Sequence, residues 1–311
     1  MKPLVSIITI NFNQLEVTCA LLDTLQDVTY PNFEVIVVDN ASSGNDAAVM
    51  KARYPAFKIL ENPTNEGFTG GNNAGMVVAE GEYILLLNND TEVPADFLNP
   101  LVDALMSDDE VGIVSPLILF HHTPGMIQYA GSTPINPYTA RSQNIGYGKY
   151  EHSFEAKTSD THLAHGAAML IKREVLSQIG LLNDLFFIYY EEYDFCERAK
   201  RLGYRIRFIA ESRIYHKESI TMGKVSAFKT YYMTQNRLLF MRRNVFGLPF
   251  WISLMYLLFA AIPKNTLTHL AGRRFDLLKA FYKGLFWHLK PRDITQNPQL
   301  RSSATLSHVL T

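Results

Sequence analysis

Mostly apolar runs occupy positions 5–10, 33–38 and 83–87, broken only by Ser6, Thr9 and Glu34, and each is followed by polar residues dominated by Asn and Asp. Short runs rich in β-branched residues are the pattern of parallel strands covered on both faces. The segments between them have helical spacing. Residues 15–26 put Val17, Leu21, Leu22 and Leu25 on one side, 46–54 form a charged, Ala-rich helix, and 72–80 form another. Residues 58–61 add a short strand. This alternation through residue 90 predicts an α/β chain built on a doubly wound, mostly parallel sheet.

The pattern changes after Val111. Residues 112–120 read as a strand, and a polar stretch rich in Gly, Pro, Tyr and His then runs to Asp160. That length predicts a functional loop region with short hairpins. A strand over 167–171, a helix over 173–179, a helix over 191–202 closed by Gly203 and a strand over 205–209 follow. There is no internal repeat.

Charge divides the chain unevenly. Residues 241–311 hold ten Lys or Arg against Asp276 and Asp293, a net of +8, so residues 1–240 carry −9. A basic tail on an acidic body predicts an anionic surface as the tail's partner and no nucleic-acid partner. The plainer reading is a solvated pair of basic helices. Only Cys19 and Cys196 are present, which excludes a disulfide framework or a Cys-based metal site and fits a reducing compartment. The first apolar run is too short for a signal peptide, so the catalytic part is expected in the cytoplasm.

In open α/β sheets ligands bind at the carboxyl ends of strands, near a switch in strand order. Three predicted strands end there in polar clusters: Thr9-Ile10-Asn11, Asp39-Asn40-Ala41-Ser42 and Asn88-Asn89-Asp90. Any one alone reads as a turn or a helix cap. Ahead of the third lies a glycine-rich segment, 65–75, expected as a loop whose backbone approaches an anionic ligand. It lacks the spacing and position of a dinucleotide fingerprint.

The segments VSIITINFN, FEVIVVDNAS, NEGFTGGNNAG, YILLLNNDTEV, HGAAMLIKREV, FFIYYEEYDFCERAKRLGYRI and RIYHKES together resemble glycosyltransferase family 2, in its rhamnosyltransferase-like branch. The match runs in order over roughly the first 240 residues. It implies the GT-A fold and an inverting transfer from a nucleotide-sugar donor, with Mg²⁺ or Mn²⁺ as cofactor. By position, Asp39 corresponds to the carboxylate that reads a pyrimidine ring, as in UDP or dTDP, and Thr9 and Asn11 to its neighbours. Gly70, Gly71 and Asn72, with Asn40, Asn88 and Asn89, fall on the donor side. Asp90 ends the family's Asp-x-Asp metal motif, whose first position here is Asn88. His216 matches a histidine near metal and diphosphate.

In Glu191-Glu192-Tyr193-Asp194 the resemblance makes Glu192 the catalytic base where the family carries Asp, with Glu191 and Asp194 as the alternatives. Adjacent carboxylates at a helix start are also an ordinary acidic first turn. Crowded like charges should raise one pKa toward neutrality, which suits a base. Arg237 either faces the diphosphate or lies exposed on a helix.

Residues 245–262 contain no charge, at the lower limit for a spanning helix, yet Gly247 and Pro249 shorten it and both flanks are basic. Residues 275–289 alternate apolar and Lys positions in an interfacial pattern. The division expected is a catalytic domain over 1–240 and, over 241–311, a helical membrane-associating tail on the inner leaflet. The competing occupants are the catalytic domain itself or a second copy in a homodimer. A glycan or polyprenyl-diphosphate-linked acceptor, in cell-surface polysaccharide synthesis, is the implied co-substrate. The rival functions are a nucleotidyltransferase, which would need a Gly- and basic-rich loop after residue 10, and a degenerate sugar-nucleotide-binding protein.

Overall fold

The computed structural model describes residues 2–217 and 225–299; Glu218 and Ser219 of the RIYHKES segment, and Arg301 of the tail, lie outside the described residues. The alternation through residue 90 is present as β1 (Val5–Asn11), α1 (Leu15–Gln26), β2 (Phe33–Asp39), α2 (Asp46–Arg53), β3 (Lys58–Glu61), α3 (Gly67–Val78) and β4 (Tyr83–Leu87). β5 (Thr91–Glu92), α4 (Leu98–Met106), β6 (Val111–Phe120), β7 (Ile127–Tyr129), β8 (Ser159–Thr161), β9 (Ala168–Lys172), α5 (Arg173–Ile179), α6 (Glu191–Arg201) and β10 (Arg205–His216) follow. All strands join one sheet, whose main order is β3-β2-β1-β4-β9-β6-β10-β5.

The first four strands in that order are parallel. β9 enters antiparallel between β4 and β6, placing Ala168 opposite Leu87. The turn before β9 therefore reaches the edge where β1, β2 and β4 end. β10 runs parallel to β6, and its last residue pairs with β5, His216 against Thr91. Alternate strand residues feed two apolar layers, Val5 and Ile7 with Leu21, Leu22 and Leu101 on one face, Ile8 with Met76, Leu176 and Phe195 on the other. Burial on both faces is why the strands lack polar alternation.

The glycine-rich segment is not a loop. α3 starts at Gly67, five residues before the expected start, and Gly70, Gly71 and Asn72 lie within it. Gly67 has φ of +70°, and a Cβ there would come within 2.5 Å of the Phe187 carbonyl oxygen. A Cβ on Gly71 would come within 2.9 Å of Ile10. These glycines let α3 lie close on β1 and on the chain before α6, a packing need that composition alone did not separate from flexibility.

The expected border at residue 240 falls inside α7 (Ala227–Asn244). α7 is bound to α6 by a buried ionic cluster. Asp194 accepts from Arg198 Nε at 2.9 Å, Arg243 Nε at 2.7 Å and Asn244 Nδ2 at 2.9 Å. Arg198 also donates to the carbonyls of Ile179 and Leu181 beyond α5. Burial acts to raise the Asp194 pKa, yet the Arg243 hydrogen bonds and the charges of Arg198 and Arg243 hold it below the usual carboxylate range. Asp194 is thus a structural anion rather than a free base.

Beyond α7, α8 (Leu248–Tyr256), a π-helical turn (Leu257–Ala261) and α9 (Ile262–Ala271) make one 24-residue helix, Leu248–Ala271. The π turn ends two residues before Pro263, which lacks the N–H for a regular α bond back to the turn. Only 11% of this helix's most apolar window is buried, and Trp251, Met255, Leu258 and Phe259 are exposed. α10 (Phe275–Phe286), expected at a membrane interface, instead buries Leu277, Ala280, Phe281 and Gly284, with α7 as its main packing neighbour. Phe275 and Phe286 remain exposed.

Because Asp194 is buried, Arg243→Ala leaves a charge with too few partners. The variant should lose about 3–5 kcal/mol in urea denaturation. A loss of under about 1 kcal/mol would show that the cluster does not hold α7 to α6.

Candidate active site

The ends of β1 and β4, the start of α3 and the chain before α6 enclose a cavity of about 360 Å³. Ile10, Asn40, Phe68, Asn72, Asn88, Asn89, Asp90 and Phe187 are among its lining residues. Its volume suits a small ligand. Gly70 and Gly71 do not line it. Thr9 is fully buried on the face of β1 away from Ile10, and its Oγ1 has no hydrogen-bond partner.

Asn11 is fully engaged within the protein. Its Nδ2 donates to Asp39 Oδ1 at 2.7 Å, and its Oδ1 accepts from Thr18 at 2.7 Å. Asp39 also accepts from Ser42 Oγ at 2.6 Å and from the Ser42 amide at 3.1 Å. It opens onto a neighbouring depression with Ser42, Glu61 and Asn62. Asn40 donates to Asn65 and the Gly67 carbonyl, and accepts from Asn62 and the Glu66 amide. Its amide fixes the approach to α3. Asn89 donates to Thr18 Oγ1 at 2.9 Å, which leaves the end of β4 well anchored.

Asp90 and His216, 126 positions apart, meet at 3.0 Å between Oδ1 and Nε2. The other ring nitrogen of His216 lies 2.8 Å from Gln128 Oε1. A proton on that nitrogen, donated to the amide oxygen, leaves Nε2 with a lone pair toward Asp90, the tautomer a metal ligand needs. Asn88 Oδ1 is buried with no donor nearby. Carboxylate, amide oxygen and imidazole are a donor set that fits Mg²⁺ or Mn²⁺. No group of three His, Cys, Asp or Glu converges among the described residues, so ligand oxygens would have to complete the shell.

The second cluster stands at the start of α6. Glu191 is buried, and one oxygen of each of Glu191 and Glu192 meets no donor. Burial first, then the neighbouring Glu192 charge, raises the Glu191 pKa far above its ordinary value. Burial also raises that of Glu192, opposed by amide N–H groups at the helix start and by a hydrogen bond from Glu191. Of the two, Glu191 is pushed further toward its protonated form, which suits its carboxyl to donate to the Glu192 carboxylate. The His165-Gly166 turn joins the two clusters. His165 lies edge-on to His216 at 6.2 Å between ring centroids, and a Cβ on Gly166 would come within 3.9 Å of the Glu192 carboxyl carbon. His165 Nδ1 accepts from the Ala167 amide at 3.1 Å, and enclosure keeps the ring neutral, with its pKa pushed down to about 3.

A model of the family described as glycosyl transferase family 2 matches residues 6–180, more than half of the chain. The chain belongs to glycosyltransferase family 2. Over 243 residues the enzyme is 28% identical to the low-salt glycan biosynthesis hexosyltransferase Agl10 of Haloferax volcanii, covering 75% of this chain and 74% of that protein. It is 19% identical to the N-acetylglucosaminyl-diphospho-decaprenol L-rhamnosyltransferase of Mycobacterium tuberculosis, over 65% of this chain and 72% of that one. Among solved structures it resembles the mannosyltransferase PcManGT of Pyrobaculum calidifontis, in complex with GDP-Man and Mn²⁺. The TM-score is 0.56 at 18% identity, over 94% of this chain and 78% of that one. That likeness shows the GT-A fold of the glycosyltransferase.

Sequence reasoning singled out Asp90, His216 and the Glu pair. It missed Gln128, His165 and Gly166 in this glycosyltransferase. The HGAAM segment was the available signal for the last two; nothing in the sequence pointed to Gln128. Arg237 does not line the donor-side cavity and faces a second one.

The shared proton has a pH signature. A carboxyl whose folded pKa lies above its unfolded value, about 4.3 for Glu, costs stability as pH rises through that interval. Glu191→Gln keeps a donor to Glu192 without that cost. Its stability relative to wild type should therefore improve from pH 4 to pH 8, on the order of 1–3 kcal/mol. A pH-independent difference in denaturation midpoint would rule the shared proton out.

Proposed function

We propose that this chain is an inverting hexosyltransferase that moves a sugar from UDP or dTDP onto a glycan or polyprenyl-diphosphate-linked acceptor in cell-surface polysaccharide synthesis. The observation carrying this reading is that the Asp90–His216 pair and the Glu191–Glu192 pair flank one turn, His165-Gly166, at the strand-end edge of the sheet. The rhamnosyltransferase resemblance supports a rhamnosyl donor as one candidate within that class. The named Mycobacterium tuberculosis relative supports an acceptor on a polyprenyl diphosphate.

Glu192 takes the proton of the acceptor hydroxyl. The freed oxygen attacks the anomeric carbon as the bond from that carbon to the diphosphate oxygen breaks, and the diphosphate leaves with the electron pair. One in-line displacement inverts the configuration and needs no covalent nucleophile on the protein. Glu191, protonated, holds Glu192 in place and keeps the second negative charge out of the buried pair. Asp90 and His216, helped by the Asn88 amide oxygen, would hold Mg²⁺ or Mn²⁺, which offsets negative charge on the departing diphosphate. Asp39 retains acceptor capacity on Oδ2 beside the single Ser42 amide bond, enough to take the N3–H of a pyrimidine.

The exposed helix Leu248–Ala271 supports association with a membrane. It is about 36 Å long at 1.5 Å per residue, enough to cross a bilayer or to lie in its interface. Basic residues on both flanks favour the second, on the cytoplasmic leaflet. The burial of α10 on α7 answers part of the competing reading, that the tail packs on its own domain, and leaves Leu248–Ala271 for the membrane.

Glu192→Gln should keep nucleotide binding and lower turnover on the order of 10²–10⁴-fold. If Glu191→Gln shows that loss while Glu192→Gln stays active, the base is assigned to the wrong member of the pair. Calorimetry with UDP, dTDP and GDP in Mn²⁺ tests the base: Asp39→Ala should weaken UDP and dTDP binding by about 1–3 kcal/mol. Tighter wild-type binding of GDP would sink the pyrimidine reading.

The full chain should sediment with phosphatidylglycerol vesicles and be partly released by carbonate. A Trp251→Glu/Phe259→Glu variant should stay in the supernatant and still bind nucleotide. Complete resistance to carbonate would mean that the helix spans, and equal sedimentation of the variant would remove the membrane role of this face.

A further inference from the structure

The chain between Asp184 and α6 is a wall shared by two cavities. Phe187 and Ile188 line the donor-side cavity, while Tyr190 lines a second one, of about 290 Å³. Arg141 and Arg237 both open into this second cavity, along with Tyr256, Asn265 and His269, and among the described residues no Asp or Glu lines it. Neither guanidinium has a hydrogen bond or ion pair among the described residues. Enclosure, and further the nearby Arg141 charge, lowers the Arg237 pKa. Arg237 is half-buried and Arg141 exposed, so Arg237 carries a desolvation cost and the two like charges repel each other across the cavity. An anionic ligand removes both.

The position of Arg141 is fixed rather than incidental. Tyr190 Oη donates to the Ala140 carbonyl at 3.1 Å, and the one hydroxyl proton of Ser253 on α8 is shared between the carbonyls of Pro137 and Tyr138, at 3.0 and 2.8 Å from Oγ. These bonds tie the Arg141 turn to both the residue preceding Glu191 and the apolar helix. Tyr256, Leu257 and Ala261, at and beside the π turn, form part of the cavity wall, while Leu258 and Phe259 on the same turn are exposed. A basic, acid-free cavity therefore opens along the helix that bears an uncovered apolar face.

We propose that this cavity receives the diphosphate of a lipid-linked acceptor. Arg141 and Arg237 bind its phosphate oxygens, the hydrocarbon chain follows the exposed face of Leu248–Ala271, and the sugar reaches past Tyr190 toward Glu192. This assignment rests on the glycosyltransferase reading above, narrows its acceptor to the lipid-diphosphate-linked one and adds the site that holds it. Planar guanidinium forks suit phosphate oxygens, and the adjoining apolar surface selects a lipid diphosphate over free pyrophosphate.

The test uses the full chain in calorimetry with farnesyl diphosphate, a short soluble lipid diphosphate, with UDP and Mn²⁺ at saturation so that the donor side is filled. Wild type should bind farnesyl diphosphate more tightly than inorganic pyrophosphate. Arg141→Gln/Arg237→Gln should weaken that binding about ten-fold or more, with UDP affinity unchanged. The double variant's Tm should match or exceed wild type, because neither guanidinium has a protein partner to lose. Sedimentation with phosphatidylglycerol vesicles should also be retained. Undiminished farnesyl diphosphate binding by the double variant, or none by wild type, overturns the proposal. So does a loss of vesicle sedimentation equal to the loss of farnesyl diphosphate binding, which would make the arginines a general anionic-lipid patch. A marked fall in Tm would reveal a structural partner and overturn it as well. Failure of wild type to bind any nucleoside diphosphate would count against the donor reading instead, while the farnesyl diphosphate arm still decides the cavity.

Discussion

The site depends on how Asn236 of α7 holds the chain that leads into α6. Its Nδ2 lies 2.6, 2.7 and 3.0 Å from the carbonyls of Phe186, Ile188 and Tyr189, which share its two N–H groups. Phe187, Tyr189 and Tyr190 have φ of +62°, +72° and +70°, a conformation that costs bulky residues on the order of 1–3 kcal/mol each. The Asn236 bonds offset part of that cost. The Thr69 amide bond to the Phe187 carbonyl and the stacking of Phe187 on Tyr232, 5.0 Å between centroids, add to it. One strained segment thereby supplies a wall to each cavity, docks the start of α3 and presents the Glu pair.

Topology does the rest of the assembly. A wholly parallel sheet would start β9 at the edge remote from the ligand. By running antiparallel beside β4, β9 brings its leading turn, His165-Gly166, to the edge where Asp90 stands. The last rung of β10 against β5 puts His216 beside the same residue. Metal-ligand candidates and acid pair therefore meet through hydrogen-bonded strand geometry, with little left to flexible loops, and precise placement of this kind is what acid–base and electrostatic catalysis require.

Three carboxylates in the first turn of α6 have opposite fates. Asp194 points to Arg198, Arg243 and Asn244 and stays charged. Glu191 and Glu192 share an enclosed space with no cation on them among the described residues, and each is pushed toward its neutral form, Glu191 further. One helix start thus carries both the anion that locks α6 to α7 and the pair suited to proton transfer. Their proximity in sequence makes them look equivalent, and Arg243 of α7, with Arg198 of α6 itself, separates them.

The strands and their polar ends were legible because they depend on local pattern: continuous β-branched runs need two covered faces, and Asn-Asn-Asp at a strand end needs an exposed edge. Family-like segments extended that to Asp90, His216 and the Glu pair. The sequence did not distinguish a glycine loop from a glycine-packed helix, since Gly67 and Gly71 are defined by what touches them, Phe187 and Ile10. Nor did it reveal that the tail divides, with α10 buried on α7 and Leu248–Ala271 left uncovered, because an uncharged run and an amphipathic one can each lie on a membrane or on protein, and only packing tells which does. Arg141 and Arg237 lie 96 positions apart, only Arg237 stood out in the sequence, and their common cavity exists only once α7, the apolar helix and the 136–141 turn are assembled. Local pattern determined which residues form strands and helices; long-range contact decided which side chains face each other, and so which charges are paired and which are left for a ligand.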